Sequence, residues 1–408
     1  MPVLKGIGAL ATCAPGAGQS DIGVIPDAAL AWQGETLRWV GPARDLPGEL
    51  ASWPIEDAGG RLVVPGLVDC HTHLAFAGWR QDEFEQKLLG RTYLDIAKAG
   101  GGILSTVART RAASERELTD RAAGFLAEMA RLGVTTVEAK SGYGLDLETE
   151  LRLLRVYRSL ELIGPARVVA TFLGAHTVPA EYRTRRGAYI DLVINEMIPA
   201  AAADGIARFC DVFVEESAFS VEEGRRILLA GKAVRLLPKL HADQLSSCGG
   251  AELAAEVGAV SADHLERISV AGIAAMKASG VVAVSLPLAS LYLGHAPLPA
   301  RRILEAGLPL AVATDFNPGS APSFHLPFAM MLACTLQRMT PAEVLKGATL
   351  VAAQALGLQR RIGSLEPGKA ADFAVIDAES VNHWMYHCRA NACVRTVVGG
   401  RDAWSATT

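Results

Sequence analysis

From residue 64 onward, one hydrophobic pattern repeats along the chain. A short apolar, β-branched run ends in polar residues, and a segment with helical spacing follows. The runs are "LVDCHTHL" (67–74), "VTTVEAKSG" (134–142), "RVVATFLGAH" (167–176), "FCDVFVEES" (209–217), "LLPKLHAD" (236–243), "AVSADHLE" (259–266), "VVAVSLP" (281–287) and "PLAVATDF" (309–316). Between them lie stretches such as "LTDRAAGFLAEMARLG" and "DLETELRLLRVYRSLELIG", where Leu147, Leu151, Leu154 and Tyr157 recur at helical intervals. Strands alternating with helices pair in parallel, and eight such units predict an α/β fold of the closed (β/α)8 TIM-barrel type. An open doubly wound sheet is the structural rival. The flanks carry a different, alternating pattern, as in "ALAWQGETLRWVGPARDLP". Residues 1–63 and 359–408 are therefore expected to pair into one small β-sandwich domain beside a barrel spanning 64–358, with 341–358 an added helical segment.

Length and composition fit this division. Of the 408 residues, half are hydrophobic and a fifth charged; a barrel takes ~250. A net charge of −4 without a long basic run makes nucleic acid and anionic membranes poor partners. The N-terminus lacks the basic stretch and apolar core of a secretory leader. Seven scattered cysteines, none in a C-x-x-C pair, suit a reducing cytoplasmic compartment.

Catalytic groups in a parallel barrel come from the C-terminal ends of several strands. Five of the nine histidines fall there: His71 and His73 on the first run, His176 on the third, His241 on the fifth and His264 on the sixth, with Asp315 on the eighth. Residues i and i+2 of a strand face the same way, so His71 and His73 can grip one cation. An isolated H-x-H is often chance; one at a first barrel strand, with a late Thr-Asp, is not. With His241 and Asp315 the donors become three imidazoles and a carboxylate, a set suited to zinc or iron, with room for a water whose pKa falls toward ~7. Asp315 is placed to take that water's proton, and Asp69 to orient a ligand imidazole. His264 is either a satisfied core residue or, preferably, a catalytic group that polarises a carbonyl; His176 is either a loop cap or a site residue. His295, His325, His383 and His387 lack strand-end placement and are read as surface or structural. Neither Lys140 nor the run "VEES" offers the bridging lysine of a two-metal site, which favours one metal.

The motifs "PGLVDCHTHL", "HAD", "ADHLE", "ATDFNPG" and "GSLEPGKAADFAVID" resemble the amidohydrolase superfamily. "HTHLAFAGWRQDEFEQKLLGRTYLDIAKAGGGILSTVARTR", "SGYGLDLETELRLLRV", "TFLGAHTVPAEY", "KLHADQLSSCGG" and "ATDFNPGSAP" narrow the resemblance to the imidazolonepropionase family over nearly the whole chain. The resemblance implies hydrolysis of 4-imidazolone-5-propanoate to N-formimino-L-glutamate, with one Zn2+ or Fe ion per subunit held at His71, His73, His241 and Asp315, in a homodimer. Family substrate positions fall on Arg80, Tyr93, Tyr143, His176, Gln244, Asn317, Gly319 and Ser320. Position 244 is Glu in some relatives; a Gln is no general base, although it hydrogen-bonds a ring. The fork of Arg80 suits a propionate, and the "DFNPGS" turn is expected to offer backbone N–H groups to an anion. The rivals are a ring deaminase sharing the metal set, and a catalytically inactive barrel, which would be expected to have lost ligands.

Overall fold

The computed structural model describes residues 1–91 and 101–406. Its two sheets divide the chain as the patterns predict. The first has eight strands drawn from both ends: β1 (Val3–Ala11), β2 (Val24–Gln33), β3 (Thr36–Pro42), β4 (Ile55–Asp57), β5 (Leu62–Pro65) and, after the barrel, β14 (Phe373–Ile376), β15 (Cys393–Val398) and β16 (Arg401–Ser405). The two ends are joined where β14 pairs antiparallel with β5, Ala374 opposite Val64. Alternating residues, among them Leu4, Leu30, Trp32, Leu37, Val63 and Phe373, form its own apolar core.

The second sheet is the barrel: β6 (Leu67–Asp69), β7 (Val134–Lys140), β8 (Arg167–Ala175), β9 (Phe209–Val214), β10 (Leu237–Ala242), β11 (Ser261–His264), β12 (Val282–Ser285) and β13 (Leu310–Val312), each parallel to its sequence neighbours. Gly66 alone separates β5 from β6. A side chain there would put its Cβ 2.3 Å from Thr135, so this first crossing between the sheets needs a residue without one.

The ring is completed between β6 and the segment after β13. Asp315 N–H donates to His71 O at 3.0 Å and His73 N–H to Phe316 O at 2.8 Å. Asp69 accepts from Thr314 N–H at 3.0 Å and from Thr314 Oγ1 at 2.6 Å. This corrects the expectation for Asp69: it fastens the last strand to the first and touches no imidazole.

Outer helices begin where sequence provides caps. Ser114 and Glu117 form a reciprocal capping box for the helix Glu115–Arg131, as do Ser220 and Glu223 for Val221–Ala233. On the helix Leu147–Ile163 the buried stripe is Leu153, Leu154, Tyr157 and Leu160, while Leu147 and Leu151 are only half-buried. The expected joining segment is two helices, Pro341–Gly347 and Leu350–Ala355. The longer alternating-period helices and apolar strands bury one large continuous core around the barrel.

Candidate active site

Strand alternation decides what reaches the barrel mouth. On β10, Lys239 and His241 share the inward face; on β11, Ser261 and Asp263 do, joined by a 2.6 Å hydrogen bond. His264 would then point outward. Its φ of +78°, followed by +66° at Leu265, turns it back into the mouth. Asp315 has φ +57°. Such left-handed backbone in ordinary residues costs about 1–3 kcal/mol each and persists only where neighbours hold it; here Leu265 N–H is bound by Ala242 O and Arg267 N–H by Asp243 O.

The imidazoles converge. His73 Nε2 lies 3.4 Å from His241 Nε2 and 3.6 Å from Asp315 Oδ1, and His71 Nε2 lies 3.3 Å from the same oxygen. Each of His71 and His241 has a carboxylate behind it: Asp263 Oδ2 stands 2.6 Å from His71 Nδ1, and Asp211 Oδ1 stands 3.2 Å from His241 Nδ1. Both rings therefore carry the proton on Nδ1 and turn the Nε2 lone pair to the common centre. Burial, aided by Lys140 and the neighbouring rings, holds His71, His73 and His241 well below the usual imidazole pKa, so they are neutral. Burial pushes the Asp315 carboxyl up to about 7. For His264 burial opposes the charge, but the Glu266 carboxylate at 3.8 Å, with Asp315 and Asp263, outweighs it and raises the pKa.

These residues fit a divalent cation. His71 Nε2 is buried with no hydrogen-bond partner, and two facing Nε2 lone pairs need a cation between them. Behind the rings, the carboxylates Glu138, Asp211 and Asp263 face only two ammonium groups, Lys140 and Lys239. Those carboxylates outnumber the ammonium groups by one, so the ground behind the rings is negative and favours a cation. Three overlapping groups of close donor atoms occur here: His71, His73 and Asp315; His71, His241 and His264; and His73, His176 and His241.

The cavity over this cluster holds about 1130 Å³, beyond the ~300–1,000 Å³ usual for a small-molecule site. Tyr143, His176, Gln244, Asn317, Gly319, Ser320 and Arg80, all positions singled out by the family resemblance, line it; Tyr93 lies outside the described residues. His176 stacks on His73, centroids 4.9 Å apart, and its Nδ1–H donates to Gly142 O at 3.0 Å. Arg80 is already bound: Glu83 Oε2 accepts from its Nε at 2.9 Å and its Nη2 at 2.7 Å. The "DFNPGS" expectation needs correction. Asn317 Oδ1 accepts both the Gly319 and Ser320 N–H groups at 2.8 Å, so the turn satisfies itself and leaves neither donor for an anion. His295 is exposed at the cavity rim, in keeping with a surface position, and His325 caps the helix Leu326–Gln337.

Several residues here escaped the sequence reading. Asp263, Asp211 and Glu266 stand behind His71, His241 and His264 respectively. Glu215 accepts from Leu245 N–H at 2.8 Å and Ser246 N–H at 3.2 Å, fixing the loop that carries Gln244. Lys87, Arg91 and Arg267 join Arg80 in the cavity wall, where Asp315 is the one carboxylate among the described lining residues. The mouth thus has a positive field in a chain of net negative charge.

Comparison with known proteins agrees with this geometry. The model of the Amidohydrolase family matches residues 240–402. The imidazolonepropionase of Symbiobacterium thermophilum is 46% identical over 98% of this chain and 96% of its own length; that of Myxococcus xanthus is 50% identical over 90% of this chain and 88% of its own. Among solved structures, an adenosine deaminase from Xanthomonas campestris with bound zinc superposes with a TM-score of 0.70 over 98% of this chain and 92% of that one at 19% identity, a likeness of fold. With its full-length relatives and its barrel-mouth histidines, the chain belongs to the imidazolonepropionase family of amidohydrolases.

Proposed function

We propose that the site hydrolyses the cyclic amide of 4-imidazolone-5-propanoate to N-formimino-L-glutamate, in histidine degradation. One observation carries this reading beyond the family likeness. The imidazole cluster and the cationic wall around Arg80 face the same cavity, so one small molecule can present a ring carbonyl to the first and a carboxylate to the second.

His71, His73, His241 and Asp315 would hold one zinc or iron ion. Such an ion, when bound, polarises a carbonyl and lowers the pKa of water. The chain's own groups do the rest. Arg80 Nη1, left over from the Glu83 fork, takes the propionate, with Tyr143 and Ser320 hydroxyls as further donors. His264 donates a hydrogen bond to the carbonyl oxygen as negative charge develops there. Asp315 accepts a proton from the attacking water and returns it to the departing ring nitrogen. Gln244 and His176 hydrogen-bond the ring and hold it flat. Water adds across the C–N bond, the acyl carbon becomes the new carboxylate, and the ring opens. We place the enzyme in the cytoplasm, on its seven free cysteines, and as a homodimer, on the family resemblance.

The test compares 4-imidazolone-5-propanoate with the same ring bearing an uncharged propionamide. Formation of N-formimino-L-glutamate by mass spectrometry, with kcat/KM much lower for the amide, is the expected result. Equal turnover of both would remove the carboxylate subsite from the account.

A further inference from the structure

Below the imidazoles, the barrel carries a second buried constellation. Glu138 and Lys140 of β7, Asp211 of β9, Lys239 of β10 and Asp263 of β11 have no exposed surface and sit on inward-facing positions. None of them lines the substrate cavity. Lys140 Nζ donates to Asp211 Oδ2 at 2.7 Å and to Glu138 Oε1 at 2.9 Å, and lies 3.3 Å from Asp263 Oδ2. Asp211 and Asp263 are the carboxylates behind His241 and His71. One ammonium therefore joins two imidazoles from different strands, through one carboxylate each. Lys239 differs in its contacts: it hydrogen-bonds Glu138 Oε2 at 2.5 Å and Cys70 O at 3.4 Å, and it acts on Asp263 and Asp211 only through its field.

We propose that Lys140 is a positioning residue of the metal site. Its ammonium lies between two buried carboxylates that otherwise repel each other, and it fixes the oxygen that each presents to its imidazole Nδ1–H. His71 and His241 then hold matched tautomers and aim both Nε2 atoms at one point. Without Lys140, Asp211 and Asp263 are free to turn, and that turn releases the rings. The inference rests on reading the imidazoles as metal ligands.

The test uses K140M and K239M, each of which removes one positive charge from the same buried network. Zinc affinity of the metal-free proteins is measured by competition with a chromophoric chelator, alongside Tm and the visible spectrum of the cobalt-loaded forms. K140M is expected to weaken zinc binding by roughly 10–100-fold and to alter the cobalt spectrum, while K239M keeps both near wild type even where Tm falls. If K140M does not fold, E138Q/K140M deletes an ion pair at constant net charge and is expected to show the same loss. Equal weakening in K140M and K239M would overturn the inference in favour of a general charge effect. Wild-type zinc affinity in folded K140M or E138Q/K140M would overturn it outright. A wild-type protein that bound neither zinc nor cobalt, with H73A indistinguishable from it, would instead overturn the ligand reading, and the inference with it.

Discussion

Glu83 holds Arg80 by two of its three guanidinium nitrogens, Nε and Nη2, and leaves Nη1 against Gly319. The same carboxylate accepts the N–H of Gly102, at the start of the helix Ile103–Ala112, at 2.9 Å. The guanidinium is thus held in one orientation by the protein itself. Arg80→Ala is expected to raise KM by the loss of a charged hydrogen bond, roughly 1.5–3 kcal/mol, with kcat much less affected. Glu83→Gln is expected to raise KM about 2- to 10-fold through looser positioning. Steady-state kinetics check both; an unchanged KM in Arg80→Ala would take that residue out of the carboxylate subsite.

Position 319 tests the same subsite from the other side. A Cβ there would lie 2.1 Å from Arg80 Nη1, so Gly319→Ala forces the guanidinium away. Overpacking of this kind costs about 1–3 kcal/mol, and it is expected to appear in KM. A Gly319→Ala enzyme with wild-type KM would show that Nη1 does not meet the substrate.

His264 and His73 should separate cleanly. His73→Ala is expected to lose metal and activity together. His264→Ala is expected to retain metal, measured by elemental analysis, and to lose about 10²–10³-fold in kcat, the cost of removing one donor to a developing oxyanion. Loss of metal in His264→Ala would make that residue a ligand instead.

Metal binding should release few protons. The three ligand imidazoles are neutral because burial lowers their pKa values, whereas Asp315 is raised to about 7. Below pH 7 the proton on Asp315 competes with the ion, so affinity rises with pH up to about 7 and then levels off. Calorimetry at pH 6 in buffers of different ionisation enthalpy is expected to find about one proton released per ion. Three or four would mean that the imidazoles titrate near their ordinary pKa and that the cluster is far more hydrated than this structure shows.

The barrel and the converging donors were legible in the sequence because both follow from short-range rules. Eight apolar runs at helix-sized intervals specify the sheet, and period-two alternation puts His71 beside His73 and brings His241 and Asp315 to the same end. What stayed hidden depends on which strand faces which. Asp211 and Asp263 each sit inside an apolar run, and nothing local says that one backs His241 and the other His71. The available signal was parity within each strand, Asp263 with Ser261 and Asp211 with Phe213. Asp69 was misjudged for the same reason, since its partner, Thr314, lies 245 residues away along the chain. The turn N–H groups of Gly319 and Ser320 were misjudged because the Asn317 side chain reaches them first.

The central claim is that a metal ion at the barrel mouth drives opening of the imidazolone ring. Ultraviolet absorbance follows the loss of 4-imidazolone-5-propanoate with the purified protein, after chelation, and after titration with zinc or iron. Activity that disappears on chelation and returns to its full value at one equivalent of metal per subunit is the expected result. Turnover that survives complete metal removal, or a fully loaded protein that leaves the ring intact, would contradict it.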